Sequence, residues 1–135
     1  MITFEHSFSV GSILAREEAG YKHIGVVDTD GRIIHFNADG HFSSNLEGFR
    51  QGKELSQLSD GIPAGQYSSF LERKSQALSS GSKYSWGFNN CEHFAYYIRD
   101  GISRSPQVLT YGLCAFIAVV GIGCVIGGRS PIKVA

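Results

Sequence analysis

The chain has 135 residues, enough for one domain with a modest core and a short appendage. Its twelve basic and twelve acidic residues cancel, and no basic run is interleaved with aromatics, so nucleic acid is not an expected partner. Its three cysteines, Cys91, Cys114 and Cys124, are odd in number and two lie inside an apolar run, which argues against a disulfide-stapled secreted domain and fits a reducing compartment.

Met1 to Leu14 carries Glu5 and His6, lacks a basic start and a long apolar core, and does not read as a signal peptide. Residues 4–16 suggest a short opening strand, with Gly11 before Ser12-Ile13-Leu14-Ala15. Glu17-Glu18-Ala19-Gly20 is expected to be a polar loop, and nothing in this stretch suggests chemistry.

Tyr21 to Phe36 is the clearest hairpin, its apolar arms flanking Asp28-Thr29-Asp30-Gly31. A two-residue Asp30-Gly31 turn pairs Val26 with His35 and puts His23 on the opposite face. A three-residue loop with Gly31 left-handed pairs Asp28 with Arg32, and so Gly25 with His35. Only the second register gathers both histidines on one face, because side chains alternate with period two. It is the expected one.

Asn37 to Pro63 is rich in Gly, Ser, Asp and Asn and reads as a long excursion with a short strand or two, of the kind that forms lids or binding surfaces. Gln66 to Ser79 fits a helix closed by Gly81, with Phe70, Leu71, Ala77 and Leu78 inward and Glu72, Arg73 and Lys74 outward. Tyr84-Ser85-Trp86-Gly87-Phe88 is a short aromatic segment leading to Cys91.

Asn89-Asn90-Cys91-Glu92-His93-Phe94 opens a second helix. Cys91, Ala95 with Phe94 beside it, Ile98 and Ile102 share a stripe at helical spacing, Gly101 is a natural terminator and Asn90 a preferred N-cap. Cys91 then lies in the first turn, where free N–H groups and the helix dipole favour a thiolate and are expected to lower its pKa. Taken alone, the hexapeptide better describes a small buried cysteine packing a helix start, because free cysteine is among the most buried residue types.

Val108 to Gly128 holds no charge and is bounded by Arg104 and by Arg129 with Lys133. As a helix these residues rise about 31 Å, the thickness of a bilayer's hydrocarbon core. The alternative, a buried core helix, suits neither the five glycines nor a domain with so little surface to cover it. A membrane span is expected, and Gly123-x-x-x-Gly127 suits weak self-association of such helices. Basic residues at both ends do not orient the span; a C-terminal single-pass anchor with the preceding domain in the cytoplasm is the simpler topology.

A nucleophilic cysteine needs a base to take its proton and a polar group to orient that base. Cys91, His23 and His35 supply the three, as nucleophile, general base then acid, and orienter. The hairpin face carrying both histidines is expected to receive the N-terminus of the Cys91 helix. The Cys91 N–H and the Tyr21 hydroxyl are candidate oxyanion donors, with Asn90 directly beside the thiol. Taken singly, each histidine fits a surface or a satisfied core group, and a zinc site from Cys91, His93 and the strand histidines suits neither spacing nor helix geometry. No metal and no cofactor is expected.

Tyr-x-His at 21–23, His35 and Asn-Cys-Glu-His-Phe at 90–94 together resemble the lecithin:retinol acyltransferase (LRAT) domain family over about Val10 to Asp100. The resemblance implies an α+β, permuted papain-like fold in which an antiparallel sheet packs against the helix carrying the catalytic cysteine. It implies a catalytic domain over residues 1–104 and a transmembrane anchor with a short tail over 105–135. Its chemistry is a Cys91 thioester formed from a phospholipid or other acyl-lipid and passed to an amine, alcohol or water: a membrane-anchored thiol acyltransferase or lipid acyl hydrolase. His23, His35 and Cys91 match the family's catalytic set, and Tyr21 its tyrosine just before the first histidine. The spacing from His35 to Cys91 is shorter than in the vertebrate phospholipid enzymes of the family. Two other readings stay open, a cysteine peptidase or amidase and a non-catalytic membrane interaction protein.

Overall fold

Five stretches pair into one antiparallel sheet: β1 Ile13–Glu18, β2 Tyr21–Val27, β3 Ile33–Asn37, β4 Gly40–Ser44 and β5 Leu55–Ser59, in the order β4-β3-β2-β1-β5, and the three central strands are buried in continuous runs because both faces of the sheet are covered. A computed structural model describes residues 8–81, 90–103, 105–110 and 112–113. Among the described residues up to 103, three helices complete it: α1 Leu46–Arg50, α2 Tyr67–Ser79 and α3 Cys91–Asp100, with a 3-10 turn, Ala64–Gln66, leading into α2.

The β2–β3 hairpin adopts the three-residue loop. Gly25 pairs with His35, the Asp28 N–H donates to the Arg32 carbonyl at 2.8 Å, and Gly31 is left-handed at φ 81°, where a glycine carries no Cβ penalty. The polar loop expected at Glu17–Gly20 is shorter than its composition suggests. Glu17 and Glu18 belong to β1, opposite Lys22 and Tyr21, and only Ala19-Gly20 turns. Their carboxylates are tolerated in a strand because Lys22 lies 3.3 Å from Glu17, while Arg16 and Lys53 hold Glu18.

Each face of the sheet is covered differently. Ile13, Ala15, Ile24, Val26, Ile34 and Phe36 form one apolar face, buried against Phe70 of α2 and Phe94, Ala95 and Ile98 of α3. Leu14, Val27 and Ile33 form the other, closed by Phe49 of α1. Burying a side chain of this size stabilises the fold by about 1.5–3 kcal/mol. The excursion after Asn37 is therefore sheet and core rather than a lid: β4 extends one edge, β5 the other, and α1 between them delivers Phe49.

α2 shows the expected bounds but a different inward face. Tyr67, Phe70, Arg73, Lys74 and Ala77 turn inward, whereas Leu71 and Leu78 are exposed. Arg73 and Lys74 are taken in because they have partners there. Arg73 donates to the carbonyls of Ile98 and Arg99 at 2.9 and 2.7 Å, satisfying the last turn of α3. Lys74 pairs with the buried carboxylate of Asp28. α3 ends at Gly101, left-handed at φ 76°, so the stripe stops at Ile98 and Ile102 is exposed.

The chain divides into two compact units, Met1–Arg104 and Ser105–Ala135. In the second, residues 106–110 are helical. Among the described residues no helix is long and apolar enough to cross a membrane. Most of the span expected over Val108 to Gly128 lies outside the described residues, as does the Tyr84–Phe88 segment.

Candidate functional site

The hairpin register sets the site. His23 and His35 are on the same face of β2 and β3, and the Nε2 of His23 lies 2.9 Å from the Nδ1 of His35. The far nitrogen of His35, Nε2, lies 3.0 Å from the Ser44 hydroxyl on β4. A polar chain thus runs across three neighbouring strands and leaves Nδ1 of His23 as the nitrogen outside it.

The surroundings of this pair are apolar on one side and cationic on the other. The Phe49 ring packs against both imidazoles, at 5.7 Å from His23 and 5.2 Å from His35 between centroids. Phe42 stacks on His35 at 5.6 Å. Arg16 stands opposite His23 on β1, on the same face. Both rings are buried, and both titrate well below an ordinary histidine, at about 4. Burial is the larger cause and the Arg16 charge the next, so the pair is neutral at pH 7.

Cys91 opens α3 as its spacing predicts. Asn90 caps the helix, its side-chain oxygen accepting from the N–H groups of Glu92 and His93 at 3.0 and 3.1 Å. The Nδ1 of His93 in return accepts from the Asn90 N–H at 3.2 Å, completing a capping box. Asn90 thus fixes the helix start, with its oxygen occupied by the cap.

The body of α3 lies on the sheet face opposite the histidines. It packs on the Ile24–Phe36 face, which is apolar throughout and free of the Phe49 plug. At its start Cys91 lies against the edge of β2. The Gly11 N–H donates to the Val27 carbonyl and the Val27 N–H to the Ser12 carbonyl, so odd-numbered groups of β2 point toward β1 and even-numbered ones toward β3. The β2–β3 ladder ends at Gly25 and His35. Beyond it the sulfur of Cys91 takes the place of a strand partner: it lies 4.0 Å from the Lys22 carbonyl and faces the Ile24 N–H. The thiol therefore rests on the strand edge at the two residues that flank His23. Among the described residues it makes no hydrogen bond to either imidazole.

The pKa of the thiol runs against the expectation from the helix start. The N–H groups of Ile24, Glu92 and Cys91 favour the thiolate, but burial and the neighbouring Glu92 carboxylate oppose it. Burial wins, and the group is pushed up to about 11. Sulfur and imidazoles are all neutral at rest.

Tyr21 begins β2 on the histidine face opposite Glu18 and is substantially exposed. His93 turns away from the thiol to a cleft of about 310 Å³, which it lines with His41, Phe36, Phe94 and Tyr97. Among the described residues no group of three or more His, Cys, Asp and Glu side chains is gathered for a metal.

Sequence reasoning missed Arg16, Ser44 and Phe49. Arg16 had a signal, a charge at an inward position of an apolar strand. Ser44 and Phe49 had none, because both depend on how the excursion folds back. Compared with models of known protein families and with curated proteins, the chain matches none of them.

Proposed function

We propose that this protein is a thiol-dependent acyltransferase or lipid acyl hydrolase, with the permuted papain-like arrangement that its Tyr-x-His, His and Asn-Cys-Glu-His-Phe segments resemble. One observation carries the reading: the Cys91 sulfur lies on the β2 edge at Lys22 and Ile24, either side of His23, whose Nε2 is oriented by His35. In the tautomer that serves catalysis, His23 donates from Nε2 to His35, His35 donates to Ser44, and Nδ1 of His23 is an open base.

The step balances as follows. The sulfur attacks the ester carbonyl of an acyl-lipid while its proton passes to His23, and a C–S bond forms. The C–O bond to the lipid alcohol breaks, and that alcohol leaves with the proton from His23. Water, an alcohol or an amine then attacks the thioester with His23 again as base, releasing the acyl product and restoring the thiol. A neutral resting pair suits this order, because charge develops only as the carbonyl is attacked. The Cys91 N–H is at hand for the oxyanion.

The test is intact mass after incubation with phospholipid vesicles. The wild type gains an acyl increment and Cys91→Ala gains none; absence of any increment, across lipid classes and with an activated thioester, overturns the reading. The apolar segment from Val108 to Gly128 is proposed as a C-terminal membrane anchor, which alkaline carbonate washing of membranes tests: the full chain stays with the membrane, and release into the wash removes the anchor.

A second reading, a membrane interaction protein without turnover, is favoured by the burial of all three groups. It predicts that Cys91→Ala preserves the biological phenotype. The alkylation rate of Cys91 bears on both readings. A thiol titrating near 11 is slower than a model thiol at pH 7 and gains about tenfold per pH unit; a lipid-bound enzyme accelerates it, an interaction protein does not.

A further inference from the structure

Arg16 stands across the sheet from His23, on the same face, and its guanidinium is held on both sides. Its Nε donates to Glu18 at 2.7 Å and its Nη1 to the Phe49 carbonyl at 2.6 Å. Its guanidinium carbon lies 5.5 Å from the centre of the Phe49 ring. The residue is buried, and it stands directly across the β1–β2 ladder from His23.

We propose that Arg16 is a positioning residue for the histidine pair: it clamps Phe49 against both imidazoles and keeps a fixed positive charge beside them. The clamp has a plain geometric origin. α1 is only five residues long, too short to hold itself; Nε and Nη2 of Arg16 fork onto Glu18, and Nη1 grips the penultimate carbonyl of α1 while the guanidinium covers the ring below. The ring in turn occupies the space left by Gly25, where a Cβ would come within 2.9 Å of Phe49. The imidazoles are therefore walled on one side by Phe49 and faced on another by a cation that cannot deprotonate.

Among the described residues, the charged and polar groups that face the pair come from several elements, beside the Phe42 ring of β4 on His35. β1 supplies Arg16 and Glu18, the turn before β5 supplies Lys53, α1 supplies Phe49, and β4 supplies the Ser44 hydroxyl; Cys91 is met at the strand edge. Arg16 and Lys53 oppose a proton on His23, and Glu18 favours one. Held this way, His23 takes a proton only when negative charge has built up on the attacked carbonyl. This catalytic meaning rests on the reading above, whereas the titration itself does not.

The test is a histidine titration by NMR on the full chain in detergent. In the wild type the pair titrates at about 4. Arg16→Gln raises the midpoint by about one unit or more, since a like charge close by is removed. Arg16→Lys, which keeps the charge but loses the fork, holds the midpoint low while the Phe49 ring-current shifts on the imidazole protons collapse. If Arg16→Gln does not fold, Glu18→Gln decides the matter, because loss of that carboxylate moves the His23 midpoint further down. An unchanged midpoint in folded Arg16→Gln (or in Glu18→Gln, where Arg16→Gln does not fold), or Phe49 ring-current shifts preserved in Arg16→Lys, overturns the proposal. The acidic limb of the acyl-adduct rate follows the same shifts. A wild type with no adduct sinks the proposed function and leaves the titration result standing.

Discussion

At Gly25 a methyl group has no room. A Cβ built there meets the Ile33 Cγ2 at 2.4 Å and the Phe49 Cε2 at 2.9 Å, and both side chains are fully buried. Gly25 is not in the left-handed region, so the demand is for space alone. Gly25→Ala should therefore cost about 1–3 kcal/mol, the usual range for overpacking. The denaturant midpoint falls while the slope with denaturant is unchanged, as for a folded state of the same extent. The same variant pushes Phe49 off the imidazoles, so the His35 resonances broaden or shift. A variant as stable as wild type, with Phe49 undisturbed, contradicts this packing.

The start of α3 is the element on which the thiol depends. Asn90 satisfies two N–H groups of the first turn and His93 satisfies the Asn90 N–H. Asn90→Ala removes the first part of that box and should cost about 1 kcal/mol, within the range of about 0.5–2 for lost caps. Thermal unfolding checks it, and Asn90→Ser, which keeps an oxygen, should recover most of the loss. Equal losses for Ala and Ser would mean that the cap is not what Asn90 contributes. This helix was legible in the sequence because its signals are local: a capping residue, a stripe at helical spacing and a terminal glycine. The β2–β3 register was legible only in part: local signals allow two turns containing Gly31, and the choice between them came from the one register that gathers both histidines on one face. Phe49 was not legible, because a five-residue helix shows too little periodicity to announce its inward side. The seat of the sulfur was not legible either. It depends on where the β2–β3 ladder ends and on which face α3 covers, and both are set by long-range packing of Ile24, Ile34, Phe36 and Phe94. Arg73 and Lys74 were read as outward from charge alone, a reading that fails when carbonyls or a carboxylate wait inside.

At the scale of the whole molecule, two neutral imidazoles inside the sheet make the fold sensitive to acid. In the unfolded chain His23 and His35 bind protons near 6.5, whereas in the folded one both are held down to about 4. Between those values the unfolded state binds more protons, so stability is complete above pH 6.5 and falls as pH drops toward 4. The first imidazole alone represents on the order of 3 kcal/mol at the lower end of that window, against a total of about 5–15 kcal/mol for an ordinary domain. His41 and His93, also lowered by burial, act in the same direction. Glu18, whose pKa is lowered chiefly by its bond to Lys53, adds its loss only as the carboxylate itself is protonated, at the acid end. Urea unfolding at pH 8, 7.5, 6, 5 and 4.5 should show a midpoint that is steady from 8 to 7.5 and declines steeply below 6.5. His35→Gln removes one of the two buried rings and flattens the decline without abolishing it, because His23 remains. A midpoint constant from pH 7 to 4.5 would mean that the pair accepts a proton without penalty. The imidazoles would then have to reach water or a carboxylate, which Phe49 and Arg16 as placed do not allow.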